Sequence, residues 1–79
     1  MSREEVLKKV NEIFVDAFDQ EDLVISFDTV STDVEGWDSL MQMNLIEMIE
    51  DEFQMQFNMD EVIGMENVGA MIDIILSRI

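Results

Sequence analysis

Gly36-Trp37-Asp38-Ser39-Leu40 is the stretch from which the fold and the candidate site of this chain can be worked out. It separates a long acidic connection from the clearest helical pattern in the sequence. Asp38 or Ser39 begins that helix, so the Ser39 hydroxyl lies in its first turn and faces outward. The first N–H groups of a helix lack intrahelical partners and favour an anion. The stretch therefore predicts either a serine that carries a phosphate or an ordinary helix cap.

The segment after Ser39 is predicted to be helical to about residue 54. Its apolar residues recur at spacings of three and four, which is typical of a helix with one buried face. The predicted inner positions are Leu40, Met43, Leu45, Ile46, Ile49 and Phe53. Met41 and Met48 fall nearer the edge of this face, where we expect exposure. The outward positions are polar or acidic: Gln42, Asn44, Glu47, Glu50, Asp51 and Glu52.

Residues 3–18 form the first predicted helix, because Ser2 and Glu5 fit a capping box and apolar residues follow at helical spacing. Residues 19–37 have no long period, and the apolar run at 23–27 has no partner strand. We therefore expect an extended loop or one helical turn there, with its apolar groups on the core. Trp37 is expected to pack this loop onto the helices.

Two further helices are predicted near the end of the chain. Asn58 is expected to cap a short helix from about Asp60 to Met65, with Gly64 near its end. Asn67 is expected to cap the last helix, whose predicted inner residues are Val68, Met71, Ile72, Ile75 and Ile79. The predicted fold is all-α: one domain over residues 1–79, forming a small antiparallel bundle of three main helices plus one short helix, with a long loop between helices 1 and 2.

The charge of the chain narrows its possible partners. Of its 79 residues 19 are acidic and 4 basic, which gives a formal net charge of −15. Nucleic-acid binding needs a basic face, so it is not expected. No segment resembles a signal peptide or reaches membrane-spanning length, so we expect no membrane insertion and a cytoplasmic location. The acidic residues either attract a basic protein partner or serve solubility alone.

Catalysis by the chain itself is not expected, and no metal site is predicted. Histidine and cysteine are absent, and Ser39 has no evident activating base, since Asp38 is too weak a base for a hydroxyl. A calcium-binding EF-hand loop needs glycine at its sixth position. Loops starting at Asp28 or Asp33 have Asp33 or Asp38 there. A solvated acidic face is therefore favoured over a cation site.

The whole chain resembles the acyl carrier proteins of the phosphopantetheine-binding carrier family. The resemblance rests on Asp-Ser-Leu at 38–40 opening an acidic helix, with Glu50 and Phe53 near its end, and on the length, the acidity and the long first loop. It implies that Ser39 carries 4′-phosphopantetheine, transferred from coenzyme A by a separate phosphopantetheinyl transferase that Asp38 helps to orient. The terminal thiol of the arm then holds acyl groups as thioesters for partner enzymes of fatty-acid, polyketide or other specialised acyl-transfer pathways.

The expected partners are this transferase and the acyl-loading and acyl-processing enzymes, which would meet the chain, a predicted monomer, through basic docking patches. We expect five residues to be recognised by them: Leu40, Met41, Glu47, Glu50 and Asp51.

Some residues depart from the fatty-acid carriers, which usually place a further acid soon after the serine. Here Met41, Gln42 and Asn44 occupy that part of the helix, and the form with Trp37 looks more like stand-alone carriers of specialised pathways. Two alternatives stay open. One is an aminoacyl carrier, for example for D-alanine. The other is a non-covalent acidic helical interaction module, with Ser39 as a simple cap.

Overall fold

The computed structural model describes all 79 residues and contains four α-helices and no strand. Helix α1 spans Arg3–Phe18, α2 spans Ser39–Phe53, α3 spans Met59–Ile63 and α4 spans Val68–Leu76. A single 3-10 turn, Ser31–Asp33, lies in the long loop between α1 and α2. Helix α1 packs against both α2 and α4. The predicted all-α bundle is confirmed, and no helix combines the length and the apolar character needed to cross a lipid bilayer.

The predicted caps are present at the helix starts. Ser2 Oγ accepts the Glu5 N–H, and Glu5 Oε1 accepts the Ser2 N–H in return. Asn58 and Glu61 form the same reciprocal pair at α3. Because each pair satisfies two N–H groups that the helix cannot, short polar sequences are enough to start these helices.

The core is a cluster of thirteen buried apolar residues drawn from α1, α2, α4 and the two loops around α2. Its members are Val6, Val10, Ile13, Phe14, Ile25, Leu45, Ile46, Ile49, Met55, Val68, Met71, Ile72 and Ile75. Helical spacing predicted eleven of them as inner residues, and the other two, Ile25 and Met55, lie in the loops. Since a buried aliphatic or aromatic side chain contributes about 1.5–3 kcal/mol, this cluster is the main source of stability.

Three predicted inner positions are wrong. Leu40, Met43 and Ile79 are 79%, 47% and 50% exposed. Helix α4 ends at Leu76, so Ile79 no longer follows the helical period. Leu40 lies in the first turn of α2, where no neighbouring helix covers it. Met43 lies at the edge of a cavity described below.

Other expectations need smaller corrections. Met41 and Met48 are half-buried rather than exposed, and Met48 packs against the core. Helix α3 ends two residues earlier than predicted, because Gly64 occupies its C-cap position.

The long first loop is fastened to the helices by backbone and side-chain hydrogen bonds. The Asn11 amide of α1 accepts the N–H of Ile25 at 2.7 Å and donates to the carbonyl of Leu23 at 3.2 Å. At the other side, Gly69 of α4 donates its N–H to the carbonyl of Phe27 at 2.7 Å. The loop is thus held in one place on the bundle.

Gly69 permits this close approach because it has no side chain. A Cβ at this position would lie 2.9 Å from the Phe27 carbonyl oxygen, closer than real Cβ atoms come to backbone. The neighbouring Val68 donates its N–H to the Thr29 carbonyl at 2.9 Å. The first turn of α4 is therefore covered by the loop.

Trp37 packs the end of the first loop onto α1, as predicted. Its ring meets the Phe14 ring edge-on, with centroids 5.1 Å apart, and lies 6.4 Å from the Phe18 ring. Edge-to-face aromatic pairs add about 0.5–1.5 kcal/mol to the area that they bury. This contact holds the end of the loop against α1, two residues before α2 begins at Ser39.

Candidate functional site

The chain turns into α2 through Gly36, which has a φ of +88°. A Cβ at Gly36 would have room, with Phe18 at 3.9 Å, so the positive φ rather than crowding favours glycine. Asp38 is the N-cap, and its Oδ1 accepts the N–H of Met41 at 2.9 Å. Ser39 is therefore the first residue of the helix, exposed, with a hydroxyl that makes no hydrogen bond inside the protein.

The N-terminus of α2 is open to an anion. Asp38 takes the N–H groups of Met41 and Gln42, which leaves those of Ser39 and Leu40 without a partner. No acidic residue lies in the first turn of α2, whereas Glu4 and Glu5 occupy that of α1, and Asp60 and Glu61 that of α3. The free N–H groups and the helix dipole thus favour negative charge beside the Ser39 hydroxyl.

A cavity of about 510 Å³ opens directly beside Ser39. It lies between the start of α2, the short helix α3 and the start of α4. Its apolar lining consists of Trp37, Met43, Met59, Val62, Ile63, Met65 and Met71. Four of these seven are methionines, whose flexible side chains adapt to differently shaped guests. The volume lies within the range of ordinary small-molecule sites.

Gln42 forms a polar bridge in the wall of this cavity. Its Oε1 accepts the indole N–H of Trp37 at 2.7 Å, and its Nε2 lies 3.7 Å from the sulfur of Met65. The sequence predicted Gln42 only as an outward polar residue. Trp37 and Gln42 lie five positions apart, which only weakly indicates a contact between them. Met65 lies 23 positions beyond Gln42, so the sequence does not indicate that contact at all.

Helix α3, which forms one side of the cavity, is held by an ion pair to the C-terminal end of the chain. The Arg78 guanidinium meets both oxygens of Glu61, at 2.6 Å and 2.7 Å. The hydrogen bond from Arg78, and after it the one from the Asn58 N–H, lower the pKa of Glu61 from its ordinary value of 4.5. Glu61 therefore caps α3 and ties it to Arg78 at the same time.

The predicted recognition residues fall into two groups. Leu40 is 79% exposed and stands beside Ser39, with half-buried Met41 next to it. Glu47 and Asp51 are exposed along one side of α2. The acidic groove of about 880 Å³ found there is lined by Asn44, Glu47, Met48, Glu50, Asp51, Gln54, Met55 and Gln56.

Glu50 differs from its predicted outward placement, because it is half-buried and its Oε2 accepts the N–H of Phe57 at 2.9 Å. It fastens the segment after α2 to the helix. Its carboxylate is therefore already engaged within the protein.

The stretch around Ser39 offers an exposed hydroxyl with no basic side chain beside it in the sequence. Asp38 is engaged as the helix cap, and the basic residues of the chain lie only at its two ends. No group of three or more aspartate or glutamate side chains is placed to hold a metal ion. A hydroxyl at an open helix N-terminus, next to an apolar cavity, suits attachment of a phosphate-linked group.

The sequence profile described as a phosphopantetheine attachment site matches residues 8–75. The chain belongs to the phosphopantetheine-binding carrier family. A carrier of this family holds 4′-phosphopantetheine covalently and is not an enzyme; it interacts with transferases and acyl-processing enzymes.

The fold is also that of a known carrier. The solution NMR structure of a holo acyl carrier protein from Geobacter metallireducens is similar, with 32% sequence identity and a TM-score of 0.87. The similarity covers 92% of this chain and 84% of that one. No curated protein sequence matches the chain. The predicted resemblance to acyl carrier proteins, and the predicted cofactor, are thereby confirmed.

Proposed function

We propose that Ser39 is the attachment residue for 4′-phosphopantetheine and that residues 1–79 act as one acyl carrier domain. When bound, the group supplies a thiol on which acyl groups are held as thioesters. The chain then delivers them to partner enzymes of fatty-acid, polyketide or other specialised acyl-transfer pathways. Asp38, which caps α2 immediately before the serine, is the residue that we propose orients the transferase.

The observation that carries this proposal is the open N-terminus of α2. The Ser39 hydroxyl is exposed and free, and two unpartnered N–H groups stand where a phosphate would need neutralising. The apolar cavity beside it offers a place for the carried group. The residues present therefore fit the group that the family carries.

The test is mass spectrometry of the chain after incubation with coenzyme A and a phosphopantetheinyl transferase. We expect wild type and Ser26→Ala, a control serine on the first loop, to gain one phosphopantetheinyl group. Ser39→Ala should gain nothing. An unchanged mass for wild type would instead support the non-covalent acidic interaction module, and an equal gain in Ser39→Ala would place the attachment at another residue.

We also propose that the exposed acids of α2, together with Leu40 and Met41, form the surface that partner enzymes recognise. Glu47 and Asp51 are exposed and lie one helical turn apart. Since Glu50 is engaged with Phe57, it contributes charge to this surface and less direct contact. Partner enzymes with basic docking patches would be steered towards these acids.

Charge reversal tests the role of this surface. Glu47→Lys with Asp51→Lys should slow loading by the transferase by about tenfold at low salt, and by less at high salt. Glu21→Lys with Asp22→Lys makes the same change in net charge on the exposed first loop, and should slow loading far less. Equal rates for both pairs would mean that net charge alone matters and that α2 is not the recognition surface.

The cargo itself can be identified from the holo-protein purified from its source. Release of the thioester followed by mass analysis distinguishes an acyl group from an aminoacyl group such as D-alanyl. The cavity lining does not choose between them, because its seven apolar residues suit an acyl chain while Asp38 and Glu66 in the same lining suit an ammonium group.

A further inference from the structure

Gln42 is a half-buried polar side chain in the wall of the cavity beside Ser39. It follows Ser39 by three positions, so both residues lie on the same side of α2. Seven of the other twelve residues that line the cavity are apolar. A polar group in this position needs hydrogen-bond partners, and the identity of those partners indicates what the cavity accepts.

The orientation of the Gln42 amide follows from its neighbour Trp37. The indole N–H only donates hydrogen bonds, so the amide atom 2.7 Å from it must be the oxygen. The amide nitrogen therefore points the other way, towards Met65 and the cavity. The ring of Trp37 is itself held against Phe14, which keeps this orientation fixed.

The amide nitrogen of Gln42 has a weak hydrogen-bond partner within the protein. It carries two N–H groups, and its partner within the protein is the Met65 sulfur at 3.7 Å. A thioether sulfur is a weak acceptor, whereas a carbonyl or hydroxyl oxygen is a strong one. The Met65 side chain is also flexible, so a guest with an oxygen acceptor can displace it at little cost.

We propose that Gln42 selects the cargo, by donating a hydrogen bond from Nε2 to an oxygen on the acyl chain of a 3-oxoacyl or 3-hydroxyacyl group. The proposal rests on Ser39 as the attachment residue, because the cavity opens beside Ser39 and is therefore within reach of a group tethered there. A saturated chain of the same length has no oxygen to accept a hydrogen bond from Nε2, so it gives this group no better partner than the Met65 sulfur. The cavity therefore takes the oxygenated cargo in preference to the saturated one.

The experiment compares three forms of the holo-protein: one with no cargo, one with an octanoyl group and one with a 3-oxooctanoyl group. The side-chain amide signal of Gln42 is followed by proton–nitrogen NMR. We expect the 3-oxooctanoyl form alone to move these amide protons downfield. Its population of cavity-bound cargo should exceed that of the octanoyl form by about fivefold, the usual effect of one hydrogen bond.

Gln42→Glu is the decisive variant, because its carboxylate still accepts the Trp37 N–H but has no N–H to donate. In this variant, the preference for 3-oxooctanoyl, followed by the cavity-lining methyl signals, should disappear. Gln20→Glu changes the charge equally on the exposed first loop and should keep the preference. Met65→Leu removes the competing sulfur and should raise the preference, which tests the proposal independently if Gln42→Glu folds poorly.

Two results would overturn the proposal. One is an equal amide shift in all three forms, which would assign the hydrogen bond to the amides of the arm. The other is a preference that persists in Gln42→Glu. An unmodified Ser39 overturns the proposed function as well, whereas a loaded arm without discrimination between cargoes overturns only the role of Gln42.

Discussion

The N-termini of α2 and α4 have similar local sequences but differ in whether their first N–H groups are hydrogen-bonded. Each has a polar N-cap, Asp38 or Asn67, whose side-chain oxygen accepts one N–H. Neither has an acid in the first turn after its cap. At α4, all four first N–H groups are bonded, two of them to carbonyls of the first loop. At α2, the N–H groups of Ser39 and Leu40 stay free.

The difference shows how the fold chooses between two candidate anion sites. A helix N-terminus attracts negative charge only where its N–H groups remain available. The first loop closes α4 by lying across it, and Gly69 makes that approach possible. The same loop then ends at Trp37, which packs onto α1 and leaves the N–H groups of Ser39 and Leu40 without a partner. The first loop therefore hydrogen-bonds the N–H groups at the start of α4 and leaves those at the start of α2 free.

Gly69→Ala should have the largest effect on stability, because it forces apart the loop and α4. The added Cβ would meet backbone oxygen at 2.9 Å, and such overpacking typically costs about 2 kcal/mol in the free energy of unfolding. Urea unfolding measures the loss. Gly64→Ala, at the end of α3, serves as the control and should cost less. An unchanged midpoint for Gly69→Ala would show that the loop does not need to lie so close.

The two caps should have equal effects on stability and unequal effects on loading. Asn67→Ala and Asp38→Ala each remove one N-cap hydrogen bond, so each should lower the free energy of unfolding by about 1 kcal/mol. Only Asp38→Ala should also slow phosphopantetheine transfer. Asp38→Ser keeps a capping oxygen without the carboxylate, so it should restore stability and not the rate. Full recovery of the transfer rate in Asp38→Ser would show that Asp38 acts only as the helix cap and does not orient the transferase.

Leu40→Glu should close the open end of α2 with a charge. A carboxylate in the first turn stabilises a helix by about 0.5 kcal/mol, but it competes with the phosphate for the same N–H groups and dipole. We therefore expect a small rise in thermal stability and slower loading by the transferase. Leu40→Gln, which removes the apolar side chain without adding charge, separates the two causes. Equal loading by both variants would show that the loss of leucine, and not the charge, matters.

The smallest expected effect concerns Glu61, which forms the cap of α3 with Asn58. Because its pKa in the folded protein lies below 4.5, its contribution to stability is complete above that pH and is lost as pH falls through the folded pKa. The stability gap between wild type and Glu61→Gln should therefore narrow on acidification. Unfolding curves at a series of pH values measure this gap. A gap that widens on acidification would contradict the ion pair with Arg78.

Much of the site was predictable because it depends on residues close together in sequence. The cap at Asp38, the first-turn position of Ser39 and the packing of Trp37 all lie within the opening stretch and its flanks. The pattern around Ser39 also predicted the carrier family. By contrast, the exposure of Met43 was missed, because a helical period identifies a face without showing whether a cavity lies against it.

The sequence by itself determined where three helices begin, which apolar residues form the core and that the chain has no histidine or cysteine chemistry. These follow from local hydrogen bonding, helical periodicity and composition. Only the tertiary structure decided that α4 is closed by the loop, that Glu50 holds Phe57 and that Gln42 bridges Trp37 and Met65. These contacts join segments whose separation is set by packing, which no local pattern records.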